Sequence, residues 1–202
     1  TLASIVKYPF ESALAGDHGK FGFFCTEKEI YQKIADELGI IRHSQSGAPL
    51  AYARHPLVYL VEAADDICYE IMDIEDSHKL KILSFEQTKD LLLGFFDESV
   101  KNSIEKRIKD EGITDDNEKV IYMRACVIGK LENVCARAFI DHEKEILDGT
   151  FKGCLIDHIP EPQREAYKRC TEVSFNRIYK SKPVLDVELS GFKIMETLME
   201  IM

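Results

Sequence analysis

Arg54-His55-Pro56-Leu57-Val58-Tyr59-Leu60-Val61-Glu62-Ala63-Ala64-Asp65-Asp66-Ile67-Cys68-Tyr69-Glu70-Ile71-Met72-Asp73-Ile74-Glu75-Asp76 is the stretch on which the fold reading turns. Pro56 suits a first helical turn, where its missing N–H costs nothing. Leu57, Leu60, Val61, Ala64, Cys68 and Ile71 recur at three- and four-residue intervals. That spacing predicts a helix with these residues as its apolar stripe. Asp65, Tyr69 and Asp73 then stack on one neighbouring face over two turns. Carboxylates beside apolar surface are costly without partners, so the column points to metal binding or a polar substrate. The competing reading is a solvated acidic face, to which Glu62, Glu75 and Asp76 would also belong. Asp66 points about 100° away from Asp65 on a helix. It is expected to bond a neighbouring backbone group or a basic side chain.

Helical spacing continues outward from this stretch. Thr26-x-x-Glu29 reads as a capping box, followed by Ile30, Ile34 and Leu38 and closed by Gly39. Ser84-x-x-Gln87 opens a helix through Leu91, Leu92 and Phe95, and a charged helix runs on to Gly112. Residues 118–148 carry the longest helical pattern. Val120, Val127, Leu131, Val134 and Ala138 form one stripe; Ile121, Ala125, Ile128, Cys135 and Phe139 form the next. Helices near 162–180 and 183–202 complete the chain. Longer loops are expected at 10–24, 40–54 and 149–161. No segment sustains a period of two, and no internal repeat appears. The expectation is an all-α chain, with residues 1–202 forming a single helical unit.

The net charge of −10 argues against a broad nucleic-acid surface, while leaving room for a local basic pocket for a phosphorylated small molecule. None of the six cysteines forms a Cys-x-x-Cys pair. They read as reduced thiols, with Cys68, Cys126 and Cys135 expected to be buried. No apolar run approaches the roughly 20 residues that span a bilayer, so no membrane partner is expected and the chain reads as cytoplasmic. None of the six histidines has metal-ligand spacing. Asp17-His18, Asp141-His142 and Asp157-His158 read as surface pairs. Lys7, Tyr8 and Lys20 flank a Gly-rich aromatic segment. Lysine can neutralise phosphate and glycine permits close backbone approach, although scattered lysines on a solvent loop read the same way.

The 54–76 stretch, with Ile5-Val6-Lys7-Tyr8-Pro9, Lys20-Phe21-Gly22-Phe23-Phe24 and Val187-Glu188-Leu189-Ser190-Gly191-Phe192, resembles the bacterial deoxyguanosine triphosphate triphosphohydrolases. These belong to the HD-domain phosphohydrolase superfamily. The resemblance implies a multi-helix HD-domain-like array. It also implies hydrolysis of dGTP or another dNTP to the deoxynucleoside and inorganic triphosphate. By the same resemblance, Asp65 matches a ligand of a divalent metal such as Mg or Mn, and is the catalytic candidate. Tyr69 matches a tyrosine that packs on the sugar, and Asp73 the carboxylate that bonds the 3′-hydroxyl. Lys7, Tyr8 and, more weakly, Lys20 match residues near the triphosphate.

The family's first metal-binding His and its His-Asp doublet have no counterpart in this sequence. The chain is therefore expected to correspond to a C-terminal portion of such an enzyme and to be inactive alone, without bound metal. The resemblance further implies a homo-oligomeric parent, with nucleic acid only as an effector. Two alternatives differ in class: a non-catalytic helical regulatory or assembly module, and an HD-type phosphohydrolase for another nucleotide.

Overall fold

The computed structural model describes residues 1–16 and 19–201. The Asp17-His18 pair lies outside them. The fold is all-α, as expected. Among the described residues there are eight α-helices: α1 (Lys28–Leu38), α2 (Pro56–Lys79), α3 (Phe85–Leu93), α4 (Glu98–Asp110), α5 (Asp116–Asp141), α6 (Glu143–Leu147), α7 (Glu161–Val173) and α8 (Lys182–Ile201). Among the described residues no helix is long and apolar enough to cross a membrane.

Backbone contacts group the chain into two compact units, a division that helical periodicity does not register. One unit comprises residues 1–66 and 132–159; the other comprises 67–131 and 160–202. In the first, Phe23, Tyr31, Ala35, Leu50 and Tyr52 form the core, with Val6 and Ile40 packed on it. Phe23 and Tyr31 stack with ring centroids 4.5 Å apart. The loops around this core are pinned by isolated bridges, Phe10 to Ala51, Glu11 to Phe23 and Arg42 to Tyr52. Such bridges satisfy buried backbone groups that no helix reaches. The start of α1 differs from the expected capping box. A 3-10 turn, Cys25–Glu27, precedes the helix, and Glu27 reaches back to accept from the Phe24 N–H at 2.9 Å. Ile30 and Leu38 are exposed, and Tyr31 and Ala35 form the buried side.

In the second unit, α5 contributes Val120, Met123, Val127 and Leu131, and α3 contributes Leu91, Leu92 and Leu93, all buried. The Ser84–Gln87 capping box forms as expected and fixes where α3 begins. Lys89 pairs with Glu105 at 2.6 Å, linking α3 to α4. Gln163 donates to the Phe95 carbonyl at 3.0 Å, where α3 meets α7. Arg124 on α5 meets the buried Glu75 of α2 at 3.0 Å. The α5 pattern stops at Asp141 rather than 148, and His142 separates it from the short α6. Beyond α7 the chain widens into a π-helical turn, Ser174–Ile178. No residue of α8 is buried.

Candidate functional site

The buried face of α2 is not the expected stripe. Leu57, Leu60, Val61, Ala64 and Cys68 are exposed; only Ile71 of that set is buried. Val58, Tyr59, Glu62, Ala63, Ile67, Glu70, Ile71, Ile74 and Glu75 face inward instead. The helix carries apolar residues on two sides, and spacing alone gives both the same periodicity. This arrangement buries three glutamates, two of which, Glu62 and Glu75, the competing acidic-face reading would have left in solvent. Each then requires a partner.

Glu62 has two. Lys7 Nζ lies 3.0 Å from one carboxylate oxygen, and Arg54 Nη1 donates to the other at 2.8 Å. Burial alone would lower the Lys7 ammonium, but the Glu62 hydrogen bond and charge, with the charge of Asp66, hold it above its usual value. Asp66 is half-buried, and burial raises its carboxyl even against the pull of Lys7. The Arg54 guanidinium carbon sits 5.5 Å from the Tyr59 ring centroid, within cation–π range. Lys20 sits at the same distance from the ring of Tyr8.

Lys7, Tyr8, Arg54, Tyr59, His43 and Phe151 are among the residues lining a cavity of about 210 Å³. Two close backbone approaches shape it. A Cβ on Gly22 would lie 2.0 Å from the Tyr8 carbonyl oxygen, and one on Gly149 would lie 2.8 Å from the Ala53 Cβ. Only glycine lets these segments run so near Tyr8 and Arg54. The result is a local cluster of cations in an acidic chain, suited to a small polyanion.

Further along α2, a second polar cluster forms. Glu70 accepts from Ser174 Oγ at 2.7 Å and from Thr171 Oγ1 at 3.1 Å. Burial raises its carboxyl; the two hydroxyls oppose that shift and the charge of Asp73 adds to it. Asp73 Oδ2 accepts from the Tyr179 hydroxyl at 2.6 Å. Burial and this bond push the Tyr179 phenol well up.

The structure thus brings Lys7, Tyr8 and Lys20 together. Asp65 and Tyr69 are exposed, and Asp73 is half-buried. Among the described residues no group of three or more His, Cys, Asp or Glu side chains could hold a metal ion. Asp65 offers a single carboxylate, so these residues do not by themselves fit a divalent metal. Sequence reading assigned no role to Arg54 and Tyr179, and placed Glu62 on the surface only under the competing acidic-face reading. Arg54 precedes α2, so helical phase gave no signal for its bond to Glu62.

The cavity thus sets two cations against one buried carboxylate near the start of a long helix in an all-α chain. The chain is similar to a portion of proteins described as deoxyguanosinetriphosphate triphosphohydrolases or as like them. It is 31% identical over 204 residues to a deoxyguanosinetriphosphate triphosphohydrolase-like protein of Pseudomonas aeruginosa, covering 98% of this chain and 44% of that protein. A protein of the same description from Synechocystis is 32% identical over 209 residues, with the same coverage of both. A deoxyguanosinetriphosphate triphosphohydrolase of Salmonella paratyphi A is 29% identical over 194 residues, covering 90% of this chain and 36% of that protein. The chain therefore spans less than half the length of these relatives. No family model matches it.

Proposed function

We propose that this chain supplies the phosphate- and sugar-binding residues of a hydrolase that converts dGTP or another dNTP to the deoxynucleoside and inorganic triphosphate. The observation that carries this reading is the Lys7–Glu62–Arg54 arrangement at the cavity, on a chain related to proteins of that name. In the proposed reaction, water attacks the α-phosphorus and the bond to the sugar O5′ breaks. The nucleoside leaves with the proton, and the triphosphate leaves intact. Lys7 and Arg54 offset the negative charge of the phosphates, and Lys20 adds to the field. Tyr69 packs on the deoxyribose, and Asp73 accepts from its 3′-hydroxyl. Asp65 is proposed as one ligand of a divalent ion, and among the described residues no group of three or more His, Cys, Asp or Glu side chains is placed to hold one. Homo-oligomerisation belongs to the same proposal.

Calorimetric titration of the 202-residue chain with inorganic tripolyphosphate tests the phosphate assignment. Binding is expected, and Lys7→Gln and Arg54→Gln should each weaken it about tenfold, the equivalent of about 1.4 kcal/mol. Absence of binding, or binding that neither variant changes, would remove the cavity from the reaction.

A further inference from the structure

We infer that Tyr179 is a positioning residue for the Asp73 carboxylate, brought to it by the π-helical turn Ser174–Ile178. The inference rests on the proposed reading of Asp73 as the group that accepts from the sugar 3′-hydroxyl.

A π-helical turn closes its hydrogen bonds between residues five apart, and such turns recur at functional sites. Here the Tyr179 N–H donates to the Ser174 carbonyl at 2.9 Å. That closure carries Tyr179 back over Ser174, so that both side chains address α2. Ser174 Oγ meets Glu70 at 2.7 Å and the Tyr179 hydroxyl meets Asp73 at 2.6 Å. Glu70 and Asp73 are three residues apart and therefore neighbours on one helix face. In an uninterrupted α-helix the bond would close at Ile178, and Tyr179 would lie a further 100° around the axis. One widened turn thus fixes two carboxylates at once.

The two bonds differ in what they leave over. Both oxygens of Glu70 are engaged by hydroxyls, and the side chain is buried. Asp73 is half-buried and gives only Oδ2 to Tyr179. A carboxylate has about four acceptor positions, so Oδ1 retains the capacity to accept from a ligand hydroxyl. A separation of 2.6 Å is that of a phenol donating to a carboxylate anion, the strong form of this bond. It restrains the Asp73 torsions before any ligand arrives. Less conformational freedom is then lost when the 3′-hydroxyl binds.

The test compares 2′-deoxyguanosine with 2′,3′-dideoxyguanosine by calorimetry on the full chain, in the wild type and in Tyr179→Phe. The variant keeps the ring and removes only the hydroxyl. The wild type should favour the nucleoside that carries the 3′-hydroxyl. Tyr179→Phe should reduce that preference by roughly fivefold, about 1 kcal/mol, and leave the affinity for the dideoxynucleoside unchanged. A merely structural role would weaken both nucleosides equally, and that result would overturn the inference. A preference undiminished in Tyr179→Phe would overturn it while leaving the sugar reading intact. A wild type without preference would overturn the sugar reading itself. Failure to bind either nucleoside would overturn both.

Discussion

Glu62 is a buried carboxylate whose two oxygens face two different cations, and its neutralisation isolates what that charge contributes. Glu62→Gln keeps the shape and one acceptor but removes the attraction on both Lys7 and Arg54. Charge-assisted bonds contribute about 1.5–3 kcal/mol each when buried. Both cations are partly exposed and water screens them, so the expected loss is about 1–2 kcal/mol in urea denaturation. A variant as stable as the wild type would mean that the cations are held by other contacts.

Glu70 predicts a dependence on pH. Burial raises its carboxyl in the folded state, so its stabilising contribution is complete below the unfolded value and is lost as pH rises through the folded one. Glu70→Gln should therefore gain stability relative to the wild type between pH 4 and pH 7, as read from urea midpoints. A relative loss over that range would contradict the burial account. Neither residue was legible as a partnered charge. Lys7 and Tyr179 reach α2 from distant parts of the chain, and Asp73 and Tyr179 are 106 positions apart. Helical spacing carries no information about such pairs. Family resemblance singled out Lys7, Tyr8 and Lys20 without any knowledge of what they touch, and the structure sets them side by side.

At the scale of elements, the sequence was most readable where a local rule acts alone. Ser84 and Gln87 mark the start of α3 because the capping box is made and satisfied within four residues. The inward face of α2 was misread because two apolar sides compete there, and tertiary packing selects between them. The π turn was not legible either, since periodicity averages over a single extra residue. Gly22 offers a direct test of how loops support the cavity. An added Cβ would collide with the Tyr8 backbone rather than with a flexible side chain. Gly22→Ala should cost about 1–3 kcal/mol, the range for overpacking, and should weaken tripolyphosphate binding as Tyr8 shifts. Unchanged stability together with unchanged binding would show that the 6–8 and 22 segments can part without consequence.

For the molecule as a whole, accessibility replaces the expected picture of its thiols. Cys135 is buried as expected and Cys170 is buried too, but Cys68 lies on the exposed side of α2 and Cys126 is half-buried. Native-state labelling with a thiol-reactive disulfide should modify Cys25 and Cys68 first. Cys135 and Cys170 should be protected; burial pushes their thiols up to about 11 and about 12. Cys154, half-buried and also raised to about 12 by burial and by Asp157, should react slowly. Rapid labelling of Cys135 in the native state would be inconsistent with the inward face of α5. The π turn carries a separate lesson about which changes this chain can inherit. Asn176 is exposed and accepts nearly any side chain by the measure of burial. Its deletion would place Tyr179 four residues after Ser174, so the same backbone bond would close an ordinary α-helical turn. Arg177 and Ile178 would be re-phased within the turn, while Tyr179 would keep its bond to Ser174 and its place beside Asp73. In this stretch a lineage is free to change its letters, and can shed the extra one as well.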